Sequence, residues 1–564
     1  MNTNKYKKNI FAIIAGGLMI AGIFSNCSSN IDFVPQGILS KDGYFASVDD
    51  YEKALNASYA RLHLYCYDFW MDGVTDNAII THSWNFGYDL SRGLGTSFSS
   101  APADKWMYYY VSVQTANEVV NNIDKYDWPG GASDVTRNQL LGEAKALRCY
   151  YYLDLVTLFG NIMLFEKNPA SVPESEELRQ SEPKVVFDFI LKDLEEAIAG
   201  LPSQPVNNSR FGKTAARLLR ARAAAYAAGY LNDKSYFNIT LSETAELLKT
   251  APALGNYAAL FTHGNENIPE AMLLKRFVST SGNNGFGQWY NNSVTGYCVT
   301  APLKDLVDAY EYIGEVKPNQ PYVNKDSRFY VSIYAPGMIL RDKYFNTIPG
   351  NTVSRDGKTY FDPNKDYGDL QDREILVGDV RGEEGSGEWN KSPTGFCWKK
   401  YFSESDTWST WNSYIVLRFA EVYLLRAEAL VETGGSTEEA KSCIQKIRDR
   451  AGNTNDLETV ITSTYRGNLL NLIRNERRVE LANEGLRIAD IRRWKILLDV
   501  MNQPALGVDY RDFSSGTPVK KNVIPETLND AGKRVAFTEK DYWWPIPQAE
   551  IDLNKGRIIQ NKSW

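Results

Sequence analysis

Three glutamates recur at every fourth position in the most densely charged stretch of the chain, residues 474–487. Glu476, Glu480 and Glu484 would share one face of a helix, and paired carboxylates are the groups that glycoside hydrolases use. Three arginines interleave with them: Arg477, Arg478 and Arg487. Guanidinium groups hold nearby carboxylates ionised, whereas a general acid needs a raised pKa. We therefore expect an ion-pair lattice between helices, with a glycosidase site as the alternative.

Signatures of other catalytic or metal sites are missing from the sequence. It contains three histidines and neither an H-E-x-x-H nor a G-x-S-x-G motif. Asp362, Asn364 and Asp366 begin like a calcium-binding EF-hand loop, but Arg373 stands where that loop needs a bidentate carboxylate. We therefore predict a turn there, no catalytic residues, no metal site and no cofactor.

Aromatic side chains are the third group that suggests chemistry, at 13% of the residues. Several lie in segments rich in Gly, Asn and Ser: Trp84, Tyr88, Trp289, Tyr290, Tyr297, Trp408 and Trp411. Sugar rings stack their C–H faces on Trp and Tyr, while their hydroxyls bind Asp, Asn and Arg. The pattern favours a carbohydrate ligand. Peptide binding, or packing of these rings onto a helical base, are the alternatives.

The N-terminus has the features of an export signal. Lys5, Lys7 and Lys8 precede an apolar run at residues 10–24, and Cys27 follows. A basic start, a short apolar segment and small residues predict a signal peptide at residues 1–26. Cys27 at the cut site predicts lipidation, and the alternative is an ordinary signal peptide. No later stretch has the length and apolarity of a transmembrane helix, so membrane contact would rest on the anchor.

Charge and cysteine spacing exclude two further classes of protein. The formal net charge of −7 argues against a nucleic-acid partner. Beyond Cys27 the cysteines are odd in number and widely spaced, and no two form a C-x-x-C motif, which argues against a disulfide framework and a zinc site. Those five are Cys66, Cys149, Cys298, Cys397 and Cys443. Export would permit a bridge, but sequence alone cannot choose the pair. We expect buried free thiols, with a bridge as the alternative.

Helical patterns flank a loop-rich region. Residues 134–159 place apolar side chains at every third or fourth position. From residue 251 to 411, Gly, Asn, Pro and aromatics dominate, and only residues 303–312 have a helical pattern. The other predicted helices are residues 49–64, 105–124, 183–200, 213–229, 417–431, 437–451 and 469–483. This order predicts a mainly α fold in one compact unit, divided into regions 27–250 and 251–564 with an irregular insertion at 251–411.

Motifs along nearly the whole chain resemble the SusD/RagB family, surface lipoproteins that accompany TonB-dependent transporters in Gram-negative bacteria. Residues 142–160 (GEAKALRCYYYLDLVTLFG) match a signature helix of that family. The other matching segments are residues 31–35, 40–45, 54–59, 106–123, 418–429, 476–487 and 544–554. Because many motifs occur in the right order, the chain is identified as a member of this family.

The resemblance implies a fold and a role. The fold is four tetratricopeptide-like helix pairs (an α-α superhelix) that support a large loop-rich ligand-binding face. The role is a lid that caps a transporter barrel and admits an oligomeric nutrient. We therefore predict a non-catalytic, lipid-anchored, outer-membrane glycan-binding protein that faces the cell surface and partners a SusC-like barrel. A peptide- or glycopeptide-binding protein, or a lipid-anchored glycosidase, are the alternatives.

The resemblance also guides the choice of site residues. Asp76 matches an acidic family position near the ligand, and the following loop is where stacking aromatics are expected. We predict a shallow groove between the loop around residues 76–88 and the loop around residues 289–297. Its predicted ligand-binding residues are Asp76, Trp84, Asn85, Tyr88, Trp289, Tyr290 and Tyr297.

Overall fold

The computed structural model describes residues 44–62, 70–203, 205, 207–278, 285–291, 293, 296–380, 390–403, 410–526 and 528–564. The signal peptide, Cys27, Cys66 and Trp408 lie outside these ranges, so the predictions about them stay predictions. No helix in the described ranges combines the length and apolarity that crossing a bilayer requires.

The N-terminal region is a series of packed helices. In its longest helix Leu140, Ala144, Leu147 and Tyr151 are buried at intervals of three and four residues, as the periodicity predicts. A proline is tolerated at the first position of a helix, which is where Pro183 lies. The helices are α1 (Val48–Tyr59), α2 (Ser100–Asn122), α3 (Ala132–Phe159), α4 (Val172–Glu176), α5 (Pro183–Gly200), α6 (Lys213–Tyr230) and α7 (Phe237–Leu248).

The loop-rich region contains short helices and strands. Besides α8 (Lys304–Ala309), which is predicted, it includes α9 (Ser327–Ser332), which is not. The strands up to its end are β1 (Ala78–Ile80), β2 (Ile162–Met163), β3 (Gln180–Ser181), β4 (Ala271–Lys275), β5 (Thr300–Pro302), β6 (Ile333–Tyr334), β7 (Ile339–Leu340), β8 (Lys343–Phe345), β9 (Thr352–Arg355), β10 (Lys358–Phe361), β11 (Ile375–Leu376) and β12 (Cys397–Trp398).

Helices resume after strand β13 (Tyr414–Arg418). They are α10 (Ala420–Glu432), α11 (Thr437–Arg450), α12 (Leu457–Ser463), α13 (Leu469–Glu480), α14 (Arg487–Arg493), α15 (Leu497–Met501) and α16 (Gln548–Leu553), with strands β14 (Asp509–Asp512) and β15 (Val519–Asn522) before the last helix. The predicted helix at 469–483 ends early, at Glu480. Leu481 already departs from helical geometry, with φ −103° and ψ 14°, and Asn483 then takes a left-handed φ of 60°.

Successive helices pack in pairs, as in tetratricopeptide repeats. Helix α2 packs on α3, α5 on α6, α6 on α7 and α10 on α11. Close approach between α6 and α14 depends on a small residue, because a Cβ at Gly229 would lie 2.6 Å from the Arg493 carbonyl oxygen. The predicted mainly α fold with tetratricopeptide-like helix pairs is confirmed.

Strand pairs close the irregular region onto this helical base. Antiparallel pairing of β4 with β13 brings the two ends of the region together, and β1 of the N-terminal region pairs with β5. The largest apolar core runs from Phe45 to Ile558 and includes side chains from both sides of residue 250. The division into regions 27–250 and 251–564 stays a prediction.

Candidate functional site

The two loops predicted to form the site lie next to each other. Strands β1 and β5 pair with Ile80 opposite Thr300, so the segment after β1 runs beside the segment before β5. Beyond the strands, the Thr81 amide donates to the Val299 carbonyl over 3.0 Å. The His82 Nε2 atom donates to the Tyr297 carbonyl over 2.7 Å. These bonds fix the position of the residue that follows His82 by two places.

That residue is Trp84, whose indole is covered by another ring on one face and exposed to solvent on the other side. The imidazole of His82 stacks on it with 5.2 Å between ring centroids and 8° between planes. Although one face is covered, 57% of Trp84 is exposed. Burial lowers the pKa of His82, which favours the neutral imidazole behind the indole. We call this pair the first stack.

Asn85 and Tyr88 lie on the same loop and are half-buried. The Asn85 side-chain oxygen accepts from the Phe86 amide over 2.8 Å, while its Nδ2 is buried without a hydrogen-bond partner among the described residues. The Tyr88 ring lies under the Arg92 guanidinium at 3.6 Å. Both residues therefore shape the loop, and Asn85 retains an unused donor.

Asp76 lies beneath this surface. It is 4% exposed, and both its oxygens accept from Arg487, over 2.9 and 2.7 Å. Arg478 adds a third contact at 2.9 Å. Burial raises the pKa of Asp76, but the two guanidinium groups outweigh burial and hold it well below its ordinary value. Asp76 thus anchors the start of the loop to the C-terminal helices.

The second loop contributes less exposed aromatic surface than we expected. Tyr290 is 1% exposed; its hydroxyl donates to the Tyr401 carbonyl over 2.6 Å and its ring contacts Phe402 at 4.9 Å. Tyr297 is half-buried and packs against the main core. Trp289 ends a short 3-10 helix, Phe286–Trp289, and its side chain lies outside the described part of the structure.

A second stack repeats the arrangement of the first. The imidazole of His263 lies 4.2 Å from the indole of Trp411, at 25° between planes, and Trp411 is 38% exposed. Sequence reasoning noted Trp411 but missed both histidines as supports. The only available signal was the H-x-W spacing of His82 and Trp84, because His263 and Trp411 meet only in the fold.

The glutamates of the charged motif lie in the interior. Together with their partners they form what we call the charge lattice: Glu270, Glu311, Asp326, Arg328, Lys400, Arg418, Arg448, Arg450, Glu476, Glu480 and Glu484. Glu480 contacts Arg418 at 2.6 Å, Arg328 at 3.3 Å and Arg450. The predicted ion-pair lattice between helices is confirmed.

The predicted partners within the lattice are wrong. Arg477 pairs with Glu421 and Asp490 at 3.0 and 2.8 Å, whereas Arg478 and Arg487 pair with Asp76. These arginines are next to the glutamates in sequence, but adjacent helical positions point in different directions. The lattice arginines come instead from α9, β13 and α11.

The lattice lacks an accessible proton donor among its described carboxyl groups. Burial raises the pKa of Glu480, but Arg450, Arg418 and Arg328 outweigh it and hold that pKa well below its ordinary value. At Glu270 burial outweighs Arg418 and Arg450, so its pKa is raised. That carboxyl is 1% exposed, which keeps it away from any substrate in solution.

Comparisons with known proteins agree with this fold. The profile of the SusD family matches residues 265–564. A second profile, described as "Starch-binding associating with outer membrane", matches residues 46–224. SusD-like protein P2 of Formosa agariphila is 24% identical over 568 residues, covering 95% of this chain and 96% of its own length.

Solved structures show the same architecture. A SusD-like carbohydrate binding protein from Bacteroides fragilis superposes with a TM-score of 0.73 at 23% identity, covering 90% of this chain and 99% of that one. Surface glycan-binding protein A from Bacteroides fluxus gives 0.65 at 18% identity, covering 92% and 100%. At these identities the likeness concerns the fold. Because the first profile spans more than half of the residues, the chain belongs to the SusD family.

Proposed function

We propose that this protein is a non-catalytic lipoprotein of the outer membrane that captures oligosaccharides at the cell surface. It then delivers them to a TonB-dependent transporter barrel of the SusC type. The observation that carries the proposal is the first stack, an indole that is held in place and yet mostly exposed. What distinguishes this ring from other exposed rings is the imidazole stacked behind it, which gives a ligand a preformed stacking surface.

A sugar ring fits the free face of Trp84 in shape and in polarity. Its axial C–H groups would contact the indole, and its hydroxyls would turn toward polar groups at the rim. The unused Nδ2 of Asn85, on the next residue, supplies one such donor if a small shift exposes it. Because the bond from His82 to Tyr297 already orients the stack, binding orders few additional side chains.

The second stack offers another ring on which a sugar can stack. Hydrogen bonds within the loop-rich insertion connect it to the region of the first stack. Asn412, next to Trp411, donates to the Tyr401 carbonyl over 2.5 Å, and Tyr290 donates to that same oxygen. The loop of Tyr290 in turn reaches Tyr297 and the first stack. A second exposed indole gives a glycan a further ring on which to stack, and this supports an oligomeric ligand.

Names of the relatives favour glycan over peptide. The Bacteroides fragilis structure is called a carbohydrate binding protein and the Bacteroides fluxus structure a glycan-binding protein. Screening the purified full-length protein on a glycan array, with a random peptide library beside it, tests the ligand class. We expect binding to a soluble oligosaccharide and no released product on prolonged incubation. Binding to peptides alone, or release of shorter sugars, would contradict the proposal.

The anchor and the partner require a separate test in cells that contain the native transporter. We expect the wild-type protein in the outer-membrane fraction, co-purifying in detergent with a β-barrel protein. Cys27→Ala should release a folded protein from that fraction, since the acyl chains supply the membrane affinity. Cys66→Ala serves as the matched control and should stay membrane-bound. A wild-type protein without acyl groups, or one that runs only as a monomer, would refute this part.

A further inference from the structure

Two of the described cysteines come together in the fold, although 99 residues separate them in sequence. The Sγ atoms of Cys298 and Cys397 lie 3.9 Å apart, and both side chains are fully buried. Cys149 instead directs its sulfur to the Asp193 carboxylate at 3.4 Å. Among the four cysteines that the structure describes, this is the one sulfur–sulfur contact.

Backbone contacts on both sides hold the two thiols in register. The Cys298 amide donates to the Tyr290 carbonyl over 2.9 Å, and its carbonyl accepts from the Thr81 hydroxyl over 2.6 Å. Cys397 lies in β12, whose next residue, Trp398, donates through Nε1 to the Thr300 hydroxyl over 3.1 Å. The segments that carry the two thiols are thus tied together one or two residues away from the sulfurs.

We propose that Cys298 and Cys397 are joined by a disulfide in the exported protein, formed by exchange with a disulfide oxidant. The two thiols give up two protons and two electrons, an S–S bond forms, and the oxidant disulfide is reduced to two thiols. A bond length of about 2.05 Å requires the sulfurs to approach by about 2 Å, which small side-chain rotations on two residues can supply. The oxidising compartment rests on the export that is part of the proposed function.

The bridge forms during folding rather than after it. Exchange requires a thiolate, and burial raises the pKa of the Cys397 thiol well above its ordinary value in the folded chain. An oxidant would also have to reach sulfurs that are 0% exposed. Oxidation therefore precedes final packing, and the finished bridge resists reductants until the protein unfolds.

The bridge would join two segments that support the candidate site, the one before β5 and strand β12. Cys298 lies two residues before β5, which pairs with β1 and so holds the His82 loop. Cys397 belongs to β12, which pairs with β6 inside the insertion. Closing a loop of roughly 100 residues removes much conformational freedom from the unfolded chain, so the link stabilises this end of the insertion.

The test begins with the protein extracted from its native cells into denaturant that contains N-ethylmaleimide, so that buried free thiols are alkylated. It is then digested without reductant and analysed by mass spectrometry. A second sample is reduced in denaturant and refolded in a glutathione redox buffer. We expect the linked Cys298–Cys397 peptides in both samples, and alkylated Cys149 and Cys443. Alkylated Cys298 and Cys397 in a mature chain that lacks residues 1–26 would overturn the proposal. A chain that keeps those residues contradicts the export instead, and the refolded sample then decides the bridge.

Variants give an independent readout. Wild-type protein reduced in denaturant and refolded with reductant should melt a few degrees below the oxidised form. The double variant Cys298→Ala/Cys397→Ala should melt at one temperature with or without reductant, and Cys443→Ser should keep the wild-type difference. Identical melting of oxidised and reduced wild type would overturn the stabilising role, while the peptide analysis still decides the bridge if a variant fails to fold.

Discussion

In the interior, Glu480 accepts hydrogen bonds from arginines of three different elements, whereas at the loop surface Trp84 is covered on one side only. Each lies among groups that proteins use to bind or cleave sugars: carboxylates around Glu480 and aromatic rings around Trp84. In the charge lattice each described carboxyl group is already paired. In the first stack most of the ring remains available. The contrast places the proposed binding function at the aromatic surface that is left open rather than where reactive residue types are densest.

Removing Glu480 tests the buried side of the comparison and has the largest expected effect. Glu480→Ala leaves Arg418, Arg328 and Arg450 partly unpaired in the interior, which costs about 3–5 kcal/mol of unfolding free energy. Denaturant unfolding followed by circular dichroism measures the loss. Glu438→Ala, at an exposed ion pair, is the control and should change stability by less than about 0.5 kcal/mol. A folded Glu480→Ala protein with wild-type stability would show that the lattice is not structural.

Acid should also destabilise the buried ion pairs of Glu421 with Arg222 and Arg477, within a defined pH range. Burial raises the pKa of Glu421, but Arg222 and Arg477 outweigh it and hold the pKa at about 2. Because the folded pKa lies below the unfolded one, this stability is complete above about pH 4.5 and is lost as the pH falls toward 2. The shift corresponds to about 3 kcal/mol.

Chemical denaturation at a series of pH values between 6 and 3 measures this dependence. Glu421→Gln should be less stable than wild type at neutral pH and should show a shallower loss on acidification. A wild-type protein whose unfolding free energy stays constant down to pH 3 would contradict the depressed pKa.

Truncating the exposed indole tests the other side of the comparison. Trp84→Ala should weaken glycan affinity by about 1–3 kcal/mol, as loss of a central aromatic anchor does, with little change in melting temperature because the ring is mostly exposed. Calorimetry with the ligand from the array measures the affinity. Phe98→Ala removes another exposed ring, 81% exposed at the start of α2, and should not affect binding. Unchanged affinity, or a parallel fall in melting temperature, would make Trp84 a packing residue.

Most of the helical base could be predicted from the sequence, whereas the arrangement of the candidate site could not. The bounds 183–200 match α5 because a proline start and a three-to-four periodicity are local signals. Tyr290 was expected in the groove yet is buried, because its partners Tyr401 and Phe402 are more than 100 residues away and no local pattern reveals them. For the same reason the partners of Glu480 and the pairing of His263 with Trp411 required the fold.

The smallest expected change in glycan affinity concerns His82, which we assign as a positioning residue behind Trp84. Two substitutions there separate the role of its ring from the role of its hydrogen bond. His82 contributes a stacked ring to Trp84 and a hydrogen bond to the Tyr297 carbonyl, and each contact is worth about 0.5–1.5 kcal/mol. His82→Phe keeps a ring but loses the donor, whereas His82→Gln keeps a donor but loses the ring.

If the indole must be held flat, His82→Gln should weaken glycan binding more than His82→Phe, and neither should weaken it as much as Trp84→Ala. In the Trp84→Ala background both His82 substitutions should lose their effect on affinity, since no ring remains to be positioned. Calorimetry on the wild type, the three single variants and the two double variants completes this cycle. Additive losses would mean that His82 acts on the ligand or on the fold by itself, and His82 would then not be a positioning residue for Trp84.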